Sequence, residues 1–200
     1  MSLATPEDIL SYWFGDFSAP DYPKPQPQIW WGKGEALDAE IRERFGPTLE
    51  AAARGECSAW NESPRGLLAH ILLFDQLSRN MHRDSPAMYA HDADAQDLVL
   101  QALDGETHLA LTEVERPFLY MPLMHAENVA LQRLCVRLFA QAMRHATPGF
   151  KADAERTWDY AKQHAVIVER FGRFPHRNEI LGRTSTAEEL AFLQEPGSSF

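Results

Sequence analysis

Nine consecutive residues, Arg170-Phe171-Gly172-Arg173-Phe174-Pro175-His176-Arg177-Asn178, concentrate the basic chemistry of the chain. A solvated charge run would not carry Phe171 and Phe174. Gly172 and Pro175 force a turn, so the guanidinium forks converge instead of spreading along a helix. Planar forks suit carboxylate and phosphate groups. The string therefore reads as an anion-binding loop, with Arg170, Arg173, His176, Arg177 and Asn178 as ligand-binding candidates.

Three further residues have acid–base chemistry. A helical pattern over about 125–145 forms an apolar arc of Leu131, Leu134, Cys135, Leu138 and Ala142, and Glu127 falls inside it. A carboxylate there must find a cation or take up a proton. His125 stands at the start of that helix, where the positive dipole end disfavours imidazolium. His164 shares a face with Tyr160, Ile167, Val168 and Phe171, and burial there would keep it neutral. His125, Glu127 and His164 are the catalytic candidates, suited to general acid–base work on a phosphorylated or carboxylated substrate. The chain has no Gly-rich phosphate loop, nucleophile elbow or dinucleotide fingerprint, so no reaction and no cofactor follows.

A metal could be imagined on His125, Glu127, His164 and His176. On a regular helix, residues two apart point about 200° away from each other, so His125 and Glu127 would not share an ion. The arginines nearby would also repel a cation, and no metal is expected.

Asp75 and Arg79 complete the candidates. They lie i, i+4 on the stripe that also carries Leu68 and Leu72, so they can pair on a face that should be apolar. The pair is an internal brace or part of a ligand site.

The elements that position these groups read as helices. Thr5-Pro6-Glu7-Asp8 caps a first helix that stops at Gly15. Residues 18–31 hold four prolines and Trp30-Trp31, an extended polyproline-like connector. Helices follow near 34–45, restarting at Gly46-Pro47 to about 54. Others span about 64–81, from Pro86 to 104, 125–145 and 151–171, with a short one after Thr186 and a flexible tail at 195–200. Thr112 and Glu115 have the form of a capping box, in a region kept short by Pro117 and Pro122. Period-two alternation is almost absent. The expectation is one all-α domain over 1–200 with roughly seven to nine helices.

Composition narrows the partners. Nineteen Lys and Arg against 29 Asp and Glu give −10, which argues against a nucleic-acid partner. Two cysteines, Cys57 and Cys135, exclude a disulfide framework. The densest apolar stretch, 67–77, is far short of the ~20 residues a membrane span needs. Met1–Leu10 has no signal-peptide pattern, and a cytoplasmic, membrane-free protein is expected.

Asp75-Gln76-Leu77-Ser78-Arg79-Asn80, Phe118-Leu119-Tyr120-Met121-Pro122, His125-Ala126-Glu127, His164, Arg170–Asn178 and Leu181-Gly182-Arg183-Thr184-Ser185-Thr186 together resemble the bacterial family called domain of unknown function 924. The resemblance runs from Trp13 to Leu193 and departs from the usual pattern at Phe74 and Ala126. It implies an all-α fold of the tetratricopeptide-like kind with antiparallel helix packing, and it supplies no reaction. Two partner classes remain, and the oligomeric state stays open. One is a small anionic molecule in an Arg, His and Glu pocket. The other is an acidic peptide clamped by a tetratricopeptide-like interaction surface.

Overall fold

The computed structural model describes residues 3–199. Among them the regular structure is helical, with eight helices of six residues or more. The chain gathers into two compact units. Unit 1 holds residues 1–83 and 87–122, and unit 2 holds 84–86 and 123–200.

Unit 1 begins with α1 (Pro6–Phe14), where Thr5 and Asp8 cap each other reciprocally. Ile9, Leu10, Trp13 and Phe14 are its buried side chains. The proline-rich segment differs from the expected extended connector. Pro27–Trp30 form one helical turn, α2. Proline fits the first helical position because its missing N–H would have no intrahelical partner there. Contacts of Trp30 supply the rest: its Nε1 donates to the Trp13 carbonyl at 2.7 Å, and its ring meets Phe118 at 4.7 Å.

Pro47 does not break the next helix, which runs unbroken as α3 (Glu35–Ala53), with Ile41, Phe45 and Leu49 buried at spacing four. Then come α4 (Pro64–Leu72), a π-helical turn at Leu73–Leu77 and α5 (Ser78–Met81). Periodicity predicts one regular helix here. The π turn inserts a residue into the ladder, a device found often at functional sites. α6 (Asp92–Asp104) and α7 (Arg116–Met124) follow, and α7 carries the chain into unit 2.

Buried charge pins these elements. The wholly buried Glu115 accepts from the Thr112 amide at 2.9 Å, Arg65 Nε at 2.8 Å and the Tyr22 hydroxyl at 3.0 Å, tying the proline-rich segment to α4. Asp38 on α3 takes both arms of Arg83, at 2.6 and 2.9 Å, and the amide of Asn80 at 3.0 Å.

Unit 2 is built on the hairpin of α8 (Val129–His145) and α9 (Lys151–Phe171). They run antiparallel: Arg133 near the start of α8 meets Glu169 near the end of α9 at 2.8 Å, and Lys151 donates to the Met143 carbonyl at 2.7 Å at the other end. Ile167, Val168 and Phe174 form a core flanked by Val129, Phe171 and Phe192. α10 (Ala187–Phe192) closes the unit under the Thr186–Glu189 capping box. In the tail Ser198 is buried, and its hydroxyl donates to the Leu193 carbonyl at 3.3 Å; residue 200 lies outside the described residues.

The expected Asp75–Arg79 contact forms in unit 1 at 3.3 Å, and Arg79 also meets Asp92 at 2.8 Å and the Met88 carbonyl at 3.1 Å. Asp75 is fully buried. Removing one partner of a buried ion pair strands the other charge, at a cost of about 3–5 kcal/mol. Arg79→Ala should lower folding stability by that amount in a urea titration. A loss under about 1 kcal/mol would class the pair with exposed ion pairs.

Candidate functional site

The candidate residues of unit 2 meet at one end of the α8–α9 hairpin, where the chain before α8 and the turn after α9 lie together. Helix α8 begins later than periodicity predicts. Asn128 is its cap, accepting from the Ala130 and Leu131 amides at 2.9 and 3.2 Å. Gln132 is fully buried and donates to the carbonyls of Met124 and Ala126 at 2.7 and 2.8 Å, holding the chain irregular just before the cap. Glu127 and His125 therefore precede the helix instead of lying on its face. The 200° separation expected of them does not apply, because it assumed a regular helix.

On the other side, α9 ends at Gly172. Its φ of +72° is the left-handed conformation that glycine adopts without steric cost, and its amide closes the last turn on the Val168 carbonyl at 2.8 Å. Pro175–Arg177 make one 3-10 turn. The chain then doubles back, with the Arg183 amide on the Asn178 carbonyl at 2.8 Å.

That reversal brings Arg183 onto Glu127. Its Nη1 donates to Oε2 at 2.6 Å and its Nη2 to Oε1 at 2.8 Å. The Phe174 amide adds a third bond to Oε1 at 2.8 Å. Burial alone would raise the Glu127 pKa. The Arg183 hydrogen bonds, the Phe174 amide and the charges of Arg183 and Arg177 outweigh it and hold the carboxyl below its usual range. Glu127 is thus an ionised anchor with both oxygens engaged, and not a proton donor near neutral pH.

Arg173 finds a second carboxylate. It donates to Glu189 at 2.6 and 2.8 Å and to the Thr184 carbonyl at 3.0 Å. Glu189 is buried and also receives the Thr186 amide at 2.7 Å. The Arg173 bonds first, and the capping amide with them, push its pKa down to about 2. Arg170 meets Glu188 at 2.9 Å and lies over the Phe171 ring at 4.6 Å. Arg177 is buried with its guanidinium 4.5 Å over the Phe174 ring. The Asn178 amide donates to the Ser185 hydroxyl at 2.9 Å.

The histidines surround Phe174. His164 is 5.6 Å from that ring and 6.4 Å from His125, and His176 lies 5.6 Å from Phe174 on its own turn. His164 Nδ1 is 2.8 Å from the Tyr160 carbonyl, which places the proton on that nitrogen. Burial, with the charges of His125, Arg177 and His176, pushes its pKa down to about 3 despite that carbonyl. Burial first, then the Arg177 charge, takes His176 down to about 4.

Asp75 and Arg79 belong to unit 1 and have their partners there. Sequence reasoning named the three arginines of the 170–178 string but not their acceptors. Arg183 and Glu189 were missed as members of the cluster. The one local signal was the capping box at Thr186 and Glu189, which exposes a carboxylate at a helix start without saying which cation reaches it. Among the described residues, no group of three or more His, Cys, Asp or Glu side chains is arranged to hold a metal ion. Nor is any helix long and apolar enough to cross a membrane.

Stacked helices and a hairpin closed by paired arginines define an all-α protein built on helix packing. The chain belongs to the family described as "Bacterial protein of unknown function (DUF924)", whose model matches residues 9–197. It is similar to a solved protein of unknown function, ATU0120 from Agrobacterium tumefaciens, with a TM-score of 0.78 and 35% identity over 94% of this chain and 96% of that one. No curated protein matches the sequence.

The histidine pKa values predict an acid limb of stability. A group whose folded pKa lies below its unfolded value of about 6.5 binds more protons when unfolded, so stability falls as pH drops below that point. Each such histidine contributes a slope of about 1.4 kcal/mol per pH unit. His164→Asn keeps a donor for the Tyr160 carbonyl and cannot be protonated. Between about pH 6.5 and 5, above the range where carboxylates titrate, urea titrations should show a shallower slope for this variant than for the parent. Equal slopes would mean that His164 titrates as an exposed residue.

Proposed function

We propose that this chain is a protein-interaction module that receives an acidic peptide on the outer face of the α8–α9 hairpin. A groove between the two helices is lined by Val136, Val166, Arg133, Arg137, Lys162 and Glu169. Val166 is 63% exposed. Arg133 is held by Glu169 at 2.8 Å and Lys162 by Asp159 at 2.5 Å. The observation that carries the proposal is Arg137: among the described residues it makes no ion pair and no side-chain hydrogen bond, and it is exposed at the groove.

The arginines of the 170–178 turn support this reading over a small-anion pocket. A binding site leaves guanidinium donors aimed at a cavity, whereas a brace satisfies them from the protein. Arg173 and Arg183 each spend two nitrogens on a carboxylate and a further contact on a backbone carbonyl. Arg170 is also paired. Arg170, Arg173 and Arg183 are thus engaged by carboxylates of the chain, whereas Arg137 is not.

A fluorescein-labelled synthetic peptide with Glu and Leu at helical i, i+4 spacing tests the reading by anisotropy. The acidic peptide should bind, a Lys-for-Glu version should not, and salt should weaken binding, since about 1 M salt shrinks the Debye length to about 3 Å. Arg137→Glu should weaken it at least about tenfold, equivalent to about 1.4 kcal/mol. Equal behaviour of the acidic and basic peptides would overturn the proposal. So would binding that is insensitive to Arg137→Glu. Stabilisation by inorganic phosphate that survives Arg137→Glu would restore the small-anion pocket in its place.

A further inference from the structure

The net charge of −10 is unevenly distributed between the units. Unit 1 carries nine Lys and Arg against nineteen Asp and Glu, whereas unit 2 carries ten of each. The whole excess of negative charge therefore belongs to unit 1, and the groove of α8–α9 belongs to unit 2.

Within unit 1 the acidic charge is organised on α6. Asp94, Asp97, Gln101 and Asp104 are all exposed. At 100° per residue they share one face within about 80°. Leu100 stands at the edge of that face, 38% exposed. Asp97 and Asp104 make no ion pair among the described residues. They are seven residues apart, two helical turns, or about 10.5 Å along the axis.

Helix α8 carries the matching feature. Arg137 and Arg144 are also seven residues apart and both exposed, within about 20° of one another around the helix. Among the described residues neither has an ion-pair partner. Two rigid helices thus present unpaired carboxylates and unpaired guanidiniums at the same interval. Leu100 is exposed at the edge of the acidic face of α6, and Val166 lines the α8–α9 groove together with Arg137. Opposite charges at matched spacing fix the register of two helices, and the apolar contact beside them supplies the area.

We infer that the partner of the α8–α9 groove is a second copy of this chain, whose α6 lies along α8 with Asp97 and Asp104 opposite Arg137 and Arg144. This inference rests on the groove's preference for acidic helices proposed above. The contact is heterologous, since the patch given differs from the patch received. It therefore builds a closed ring or an open chain of copies.

Light scattering on the full chain tests it over a range of concentrations. At about 50 mM salt the mass should rise to at least two chains of 22.7 kDa, and at about 1 M salt it should return to one, because exposed charges are then screened beyond about 3 Å. The Arg137→Glu/Arg144→Glu variant and the Asp97→Arg/Asp104→Arg variant should each lose this association. All four residues are exposed, and circular dichroism checks that both variants remain folded. Mixing the two variants should restore association, because each keeps the face that the other lacks. The milder Asp97→Asn/Asp104→Asn variant should be intermediate. A parent chain that stays single at low salt overturns the inference, as does association that either double variant leaves intact or failure of the mixture to recover it. If the chain stays single but binds the acidic Glu/Leu peptide through Arg137, the groove's chemistry stands and the second copy is excluded as its occupant.

Discussion

Unit 2 depends on one carboxylate. Glu127 accepts both arms of Arg183 and the amide of Phe174, and so joins three pieces of chain that have no local reason to meet. The segment before α8, the turn after α9 and the strand of coil leading to α10 are all fixed at this point. One bidentate pair of bonds and a backbone donor satisfy a half-buried charge that would otherwise be costly to remove from water. With Glu127 placed, Phe174 enters the core, His164 is enclosed against it, and Arg177 is held flat over its ring. The Arg173–Glu189 pair repeats the device one turn away, using a capping carboxylate as its acceptor.

The same economy governs unit 1. Asp75, Asp38 and Glu115 are buried acids, each met by an arginine and at least one further donor. The π turn at Leu73–Leu77 is where this matters most, because a lengthened turn weakens the ladder of helical hydrogen bonds just where Asp75 must stay buried. Arg79, tied to Asp75, Asp92 and the Met88 carbonyl, bridges that turn to the start of α6. Arginine suits the task because its planar fork reaches two acceptors at once and stays charged when buried. A lysine would present a point charge to the same acceptors.

Because so many arginines pair with carboxylates or carbonyls of the chain, few cations among the described residues are left without a partner. Those that remain unengaged on α8 therefore stand out chemically, in a chain that is acidic as a whole and in a unit whose own charges balance. The internal braces and the proposed recognition surface use the same residue type. What separates them is whether a carboxylate of the chain lies within reach.

The helices themselves were legible in the sequence. Apolar spacing located α3, α8 and α9, and the caps at Thr5 and Thr186 marked starts where the structure has them. Gly172 marked a stop, because a left-handed residue ends a helix wherever it stands. These are local properties, decided by neighbours within about four residues. The residues of odd character on apolar faces were legible too, since a buried charge announces the need for a partner. The identity of the partner was not. Arg183 lies 56 positions from Glu127, and Arg173 reaches Glu189 across a turn and a cap. The helical turn at Pro27–Trp30 likewise depends on Trp13 and Phe118, contributed by other segments. Periodicity within one element carries no information about which other element will supply the opposite charge. That choice is made by packing, and only the tertiary structure decides it.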